Sequence, residues 1–424
     1  MAAAGLVAAF AMKYQCVVHG WSDHYQYTHL CYNEIQALFG VRGIQAGLLP
    51  YRDTAFEYPV LTGMFMDLAG RILRGLVRLG VIARNDDSGY LLVSSLMLAP
   101  FSLAVTMMLR PRVSAGRLAL WAVGLPTILY TFHNWDVLAV WGSAWGLMAY
   151  ERDRRATAGA ALAAGATAKL YSAFLAPGAV LGRWAEGDRK GSLRIVAGFV
   201  AVYAALNVPW IVISAGAPAA APGEFPGVDL RDPAVNGWLA VWLFHADRYP
   251  DYWTIWYWIG EHSARIRSNP WWGGSFTGFV SLSSFASFAA GSVYMLWRGW
   301  TRRGEPQGYP VAAVGLGVVV AFLITSKVYS PQYALWAVPL LAMLSIPYRY
   351  VIGYFAAELA VLVSGFRWFT QIDDPEAGWK RALEVSVWSR AAVLGLLFWQ
   401  ATKAVRELPQ GAAGPSAEAV PKIR

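Results

Sequence analysis

The chain is a succession of apolar segments joined by connections of two contrasting kinds, and that alternation restricts it to folds that live in a bilayer. A spanning helix needs about 20 mostly apolar residues, fewer where protein flanks it. About twelve segments qualify: 1–14, 90–109, 118–132, 136–150, 157–168, 170–184, 195–214, 276–297, 309–326, 333–347, 350–366 and 385–403. The first is short. Either it continues through VVHGW beyond Lys13 or the chain begins inside a longer native helix, and it lacks the basic flank of a cleaved signal peptide. Lipid offers backbone groups no hydrogen-bond partners, so such segments fold as helices. The expected fold is an all-α polytopic membrane protein.

Composition agrees, with 57% hydrophobic residues, 14% charged residues and a mean hydropathy of +0.38. The 21 tryptophans and the other aromatics crowd the ends of the apolar runs, as interfacial belts do. A net charge of +9 raises the question of nucleic acid. However, Lys and Arg fall in short clusters between apolar segments, not along one face, which excludes a phosphate-tracking groove and leaves no nucleic-acid partner.

Short basic connections belong in the cytoplasm. They lie at Arg110–Arg117, Arg152–Arg155, Arg183–Arg194, Arg298–Arg303, Arg349 and beyond Lys403. The intervening connections are 15–89, 133–135, Lys169, 215–275, 327–332 and 367–384, and these hold most acids, aromatics and prolines. Both termini are then cytoplasmic, and 15–89 and 215–275 form outer loops. Arg71, Arg74, Arg78 and Arg84 break the pattern and read as an amphipathic helix lying on the outer surface. Residues 1–408 form one integral membrane domain, and 409–424, rich in Pro, Gly and Ala, is a disordered cytoplasmic tail.

The chemistry concentrates between Trp21 and Gly63, where Asp23, Glu34, Asp53 and Glu57 sit among many aromatics. An acid-rich loop is costly in lipid and must lie at a surface or in a wet cavity, so it reads as the active site. Both cysteines of the chain, Cys16 and Cys31, lie in the first outer loop, 15–89. In an oxidising outer compartment they bond, and a loop of that length is restrained by roughly 3 kcal/mol; the other reading is two buried thiols. Walker, HExxH, CxxC and GxSxG patterns are absent, so ATP-driven, zinc and serine-hydrolase chemistry find no support. What remains is a set of polar groups assigned to one side of the membrane. His133, Asn134 and Asp136 sit at a turn, Lys169 follows a small-residue helix, HADRYPDYWTIWYW spans 245–258 and KVYSPQY spans 327–333. A transporter would instead place charges at the midplane, where Glu358 is the clearest case.

The chain apart from its tail resembles the GT-C superfamily of integral membrane glycosyltransferases, and within it the actinobacterial members related to glycosyltransferase family 87, polyprenyl-phosphate-mannose-dependent mannosyltransferases. The resemblance rests on QYTHLCYNEI at 26–35, VRGIQAGLLPY at 41–51, EYPVLTG at 57–63, HNWD at 133–136, AKLYSAFLAP at 168–177 and KVYSPQYALWAV at 327–338, in that order. It implies a catalytic acid in the first outer loop and a sugar, mannose in the named relatives, taken from a polyprenyl phosphate donor. The acceptor would be a lipid or cell-envelope glycan on the outer face of the cell membrane. The family pattern has aspartate after Tyr-Ser where this chain reads Tyr32-Asn33-Glu34. Glu34 is the first choice for the base, with Asp23 and Glu57 as alternatives. The bland readings are a solvated loop acid, a turn cap and an arginine partner respectively.

The expected reaction is a single inverting displacement, with a carboxylate taking the acceptor's proton. Lys327, Lys169 and Arg248 are the cations expected to meet the donor phosphate, although a lysine at a helix end also snorkels to headgroups. Tyr58, His133, Asn134, Asp136, Gln332, Trp253 and Tyr257 are expected to bind substrate, and Trp256 with Trp253 also fits an interfacial belt. No cofactor is needed, since the donor carries its own leaving group. Some superfamily members use a divalent metal, and with no acidic pair standing out as ligands the reading is metal independence. Two other functions compete: a lipid or sugar transporter, and a non-catalytic relative that binds lipid-linked sugar.

The topology makes a direct prediction. In a cysteine-free background, a single cysteine placed at 225 should react with a membrane-impermeant reagent in intact cells, and one at 190 should be protected. The reverse pattern would overturn the assignment.

Overall fold

The structure, a computed structural model, describes residues 1–214, 237–263, 276–372 and 378–406. Most of the expected loop 215–275 and the tail 409–424 lie outside the described residues. Among the described residues the ordered elements are helices, with no β-strand beyond isolated bridges. Six helices are long and apolar enough to cross a membrane: α1 (Ala2–His19), α5 (Asp87–Leu109), α11 (Arg189–Ile213), α14 (Phe276–Thr301), α17 (Tyr348–Phe369) and α18 (Gly378–Ala401). The first apolar segment therefore does continue past Lys13, and the last begins well before residue 385.

The other expected segments form shorter helices. Segment 118–132 becomes α6 (Ala115–Ala122) and α7 (Leu125–Tyr130), broken at Gly124 just before Pro126. The first outer region contributes α2 (Tyr25–Thr28), α3 (Glu34–Val41) and α4 (Val60–Arg78). Helices α8 (Asp136–Glu151), α9 (Arg155–Ala168) and α10 (Ala176–Ala185) follow. The second half adds α12 (Gly237–Asp247), α13 (Ile255–His262), α15 (Val311–Thr325) and α16 (Ala334–Met343).

Burial explains why some helices are short. Every residue of α16 is buried, as are most of α8 and α15, so these form the centre of the bundle. By contrast, α11 and α14 expose Leu193, Val200, Val212, Leu282 and Val293, as expected of a lipid-facing rim. Small residues let α8 and α9 touch backbone to backbone: a Cβ on Gly142 would lie 2.5 Å from the Gly165 Cα. This antiparallel pair brings the start of α8 beside the end of α9.

Helix α4 is amphipathic and carries Arg71, Arg74 and Arg78 of the expected series, whereas Arg84 lies beyond its end. It buries Val60, Met66, Ala69 and Leu73 and exposes Arg71 and Arg78, with Leu68 and Ile72 also exposed. Arg71 pairs with Asp67 at 2.7 Å, and Arg74 donates to the Ile44 carbonyl at 2.6 Å.

Two links fasten the first loop to α1. Cys16 and Cys31 are joined in a disulfide. One turn earlier in α1, the buried Lys13 ammonium donates to the Tyr32 carbonyl at 2.9 Å and the Leu30 carbonyl at 3.4 Å, and lies 3.3 Å from His133 Nδ1. Lys13 thus gathers the strand of chain leading into α3 and the turn leading into α8. Replacing it with Met keeps the stem but strands these acceptors in an apolar setting. Lys13→Met should cost about 2 kcal/mol and lower the melting midpoint in detergent; an unchanged midpoint would refute the role of this clamp.

Candidate functional site

Helix α3 starts at Glu34 because Asn33 caps it reciprocally. The Asn33 side chain accepts from the Gln36 N–H at 2.8 Å and donates to the Gln36 side chain at 2.6 Å. Glu34 thereby stands in the first turn, where the helix dipole favours a carboxylate. Its own N–H donates to the His133 carbonyl at 2.8 Å, fixing α3 against the α7–α8 turn.

The Glu34 carboxylate meets neutral donors from three distant segments. One oxygen accepts from the Tyr58 hydroxyl and from Asn134 Nδ2 at 2.5 Å; the other accepts from Gln332 Nε2 at 3.1 Å. Asn134 Nδ2 also lies 3.0 Å from the Tyr58 hydroxyl. These bonds orient the carboxylate, and none of the three donors carries a charge.

Glu34 faces a cavity of about 1090 Å³, at the upper end of small-molecule sites. Lys169, Arg248 and Lys327 line the same cavity. Lys327 donates to the Ala246 carbonyl and to Ser281 Oγ, both at 2.7 Å, which ties the end of α15 to α12 and α14. Lys169 pairs with Asp136 Oδ1 at 2.9 Å, while Trp336 Nε1 holds the other Asp136 oxygen at 2.8 Å. The Lys169 ammonium also lies 5.1 and 4.9 Å from the ring centres of Tyr58 and Tyr333, close enough for cation–π attraction. Away from these charges the wall is apolar, built from Val241, Trp242 and Phe244 of α12 and Phe285 and Phe288 of α14.

The remaining expected residues divide clearly. Tyr58, Gln332 and Tyr257 line the cavity. His133, Asn134 and Asp136 are buried behind the lining, bonded to Lys13, Glu34 and Lys169 respectively, so they shape the wall in place of contacting a ligand. Trp253 is also absent from the lining: its ring packs on Gly365 and Phe369, and its carbonyl accepts from Arg390. Trp256 spends its N–H on the Thr325 carbonyl at 2.6 Å. Asp23 sits on an exposed turn with a left-handed φ of 50° and does not reach the cavity. Glu57 does line it, but Arg42 holds its carboxylate at 2.6 Å; burial pushes this carboxyl up and the guanidinium opposes the shift. Glu358 is likewise engaged, paired with Arg390 at 3.3 Å and bonded by the Tyr329 hydroxyl at 2.5 Å.

Sequence reasoning missed Lys13, Arg42 and Asp251. Lys13 had a signal, a lone cation inside an apolar run, which read only as the end of a segment. Asp251 lies within the 245–258 stretch but was masked by its aromatic neighbours. Among the described residues no group of three or more His, Cys, Asp or Glu is placed to hold a metal ion. No protein-family model matches the chain, and no curated protein matches it significantly.

The Lys169–Asp136 pair yields a stability prediction. Asp136→Asn leaves a buried ammonium without its counter-ion and should cost about 3 kcal/mol, whereas Asp136→Asn with Lys169→Met should cost less than the two single changes added together. Additive losses in thermal or denaturant unfolding would show that the two charges do not depend on each other.

Proposed function

We propose that this protein is a membrane glycosyltransferase of the GT-C type, transferring a sugar from a polyprenyl phosphate donor to a lipid or cell-envelope glycan acceptor at the outer face of the membrane. The observation that carries this reading is the shared cavity. A carboxylate oriented by neutral donors and three cations open onto one space with an apolar wall. Those are the groups such a reaction needs: a base for a hydroxyl, positive charge for a phosphate, and grease for a polyprenyl chain.

On this reading the six long helices, the short helices α8, α9, α10, α15 and α16 and the α6–α7 pair count as about twelve crossings. An even number puts both termini on one side. Glu34, Lys169 and Lys327 then fall at the opposite, outer ends of their segments, consistent with the distribution of basic connections.

In the reaction, Glu34 takes the proton of the acceptor hydroxyl as its oxygen attacks the anomeric carbon. The bond from that carbon to the phosphate oxygen breaks, and the polyprenyl phosphate leaves with the electron pair. Attack opposite the leaving group inverts the anomeric configuration. Lys327, Arg248 and Lys169 meet the negative charge that grows on the phosphate. Sugar identity, mannose by the sequence resemblance, would be set by the polar rim around Tyr58 and Gln332.

Glu34→Gln preserves the shape of the site and removes the base, so turnover should fall by about a hundredfold or more with donor affinity retained. Glu34→Asp should keep part of the activity. Lys327→Met should instead weaken the donor. Purified variants given radiolabelled polyprenyl phosphate sugars and total membrane lipids provide the test: near-normal turnover in Glu34→Gln would remove Glu34 as the base.

A further inference from the structure

Arg248 projects into the cavity beside Asp251, which also lines it. The contact is loose. Arg248 Nη2 stands 3.5 Å from Asp251 Oδ2, and the Trp253 N–H reaches Asp251 Oδ1 at 3.4 Å. Yet the Asp251 side chain is only 8% exposed. Its backbone, in contrast, is firmly set: its N–H donates to the Lys327 carbonyl at 2.8 Å, and its carbonyl accepts from the Thr254 N–H and hydroxyl. A well-anchored residue thus holds a buried carboxylate whose own bonds are all at the long limit.

We propose that Asp251 is a displaceable counter-ion: it holds Arg248 while the cavity is empty, and an arriving phosphate takes over the guanidinium while Asp251 takes up one proton from solvent. This rests on reading the cavity as a site for a phosphate-linked lipid. The exchange balances. One anion replaces another at Arg248, the displaced carboxylate is neutralised, and the proton returns to solvent when the phosphate departs. The role is positioning, since Asp251 acts through Arg248.

Burial already pushes the Asp251 carboxyl up to about 6, against the pull of Arg248, the Trp253 N–H and Arg390 of α18. Glu34 of α3 adds repulsion, and Tyr252 is its neighbour in the chain. His245, on α12, faces Arg248 from the same cavity. A bound phosphate adds a second negative charge and removes the guanidinium, and both changes raise the Asp251 value further. Binding therefore takes up a proton. Affinity is greatest below about pH 6 and falls as pH rises toward the value of the occupied site, by at most tenfold per pH unit.

The probe is a short-chain polyprenyl phosphate methyl diester, whose single charge does not titrate in this range. Its affinity for full-length wild-type protein in detergent should fall by about tenfold between about pH 6 and about pH 8. Asp251→Asn is neutral at every pH. It should bind with a flat profile and about tenfold more tightly than wild type near pH 8, a gain that a merely structural residue would not produce. Asp251→Glu should restore the slope, and Arg248→Gln should weaken binding at all pH values. Weaker binding by Asp251→Asn, or an unchanged slope, would overturn the proposal, as would a wild-type protein that fails to bind the diester at any pH. The expected pattern without sugar transfer would instead defeat the glycosyltransferase reading and leave the counter-ion standing.

Discussion

One buried ammonium, that of Lys13, organises the acidic side of the cavity. It reaches the carbonyls on either side of Cys31 and the ring of His133. The chain entering α3 and the turn entering α8 are thereby set against each other, and the Glu34 N–H closes the join on the His133 carbonyl. Placing a cation inside an apolar helix costs several kcal/mol unless its protons find acceptors. The first loop provides those acceptors, so the loop and α1 each satisfy what the other would leave exposed. The disulfide lies one turn away and restrains the same segment covalently.

The cavity keeps its positive and negative groups in different states of readiness. Lys169 is matched at 2.9 Å by a carboxylate that Trp336 also holds, and Glu57 is matched at 2.6 Å by Arg42. Glu34 is held by amides and a hydroxyl, and Arg248 by a carboxylate at the long limit of contact. Charge on the tightly matched groups stays with its partner, so Lys169 acts on the cavity as a fixed positive field while it keeps Asp136. Charge on the loosely matched groups is available to a ligand, because little attraction has to be surrendered when one arrives.

Apolar patterning made the helical membrane character and the amphipathic α4 legible from sequence. It misjudged lengths where a helix is enclosed by protein, as in α16, because hydropathy reports the cost of leaving water and not whether lipid or a neighbouring helix receives the surface. The first loop was legible as the place where acids collect. How those acids are used was not, because partners are assigned in space: Glu57 meets Arg42 fifteen positions away, and Glu34 meets Gln332 across 298 positions. Asn134 and Asp136 stood out as polar residues in an apolar chain, but burial turns them inward to support Glu34 and Lys169. Trp253 illustrates the opposite error. An aromatic in an aromatic-rich segment looks available for stacking, yet the absence of a side chain at Gly365 makes a slot that its ring fills.

The hydrogen bond from Gln332 to Glu34 has a consequence for how the protein is made. Glu34, Tyr58, Asn134 and Lys169 leave the ribosome early, whereas Arg248, Lys327 and Gln332 emerge only after most of the bundle has been inserted. A nascent chain therefore holds the carboxylate without the groups that complete its surroundings. The same division means that two separately synthesised halves, cut within the long connection after α11, would each carry an incomplete set of the cavity's polar groups. Assembly itself is the step that completes the surroundings of Glu34.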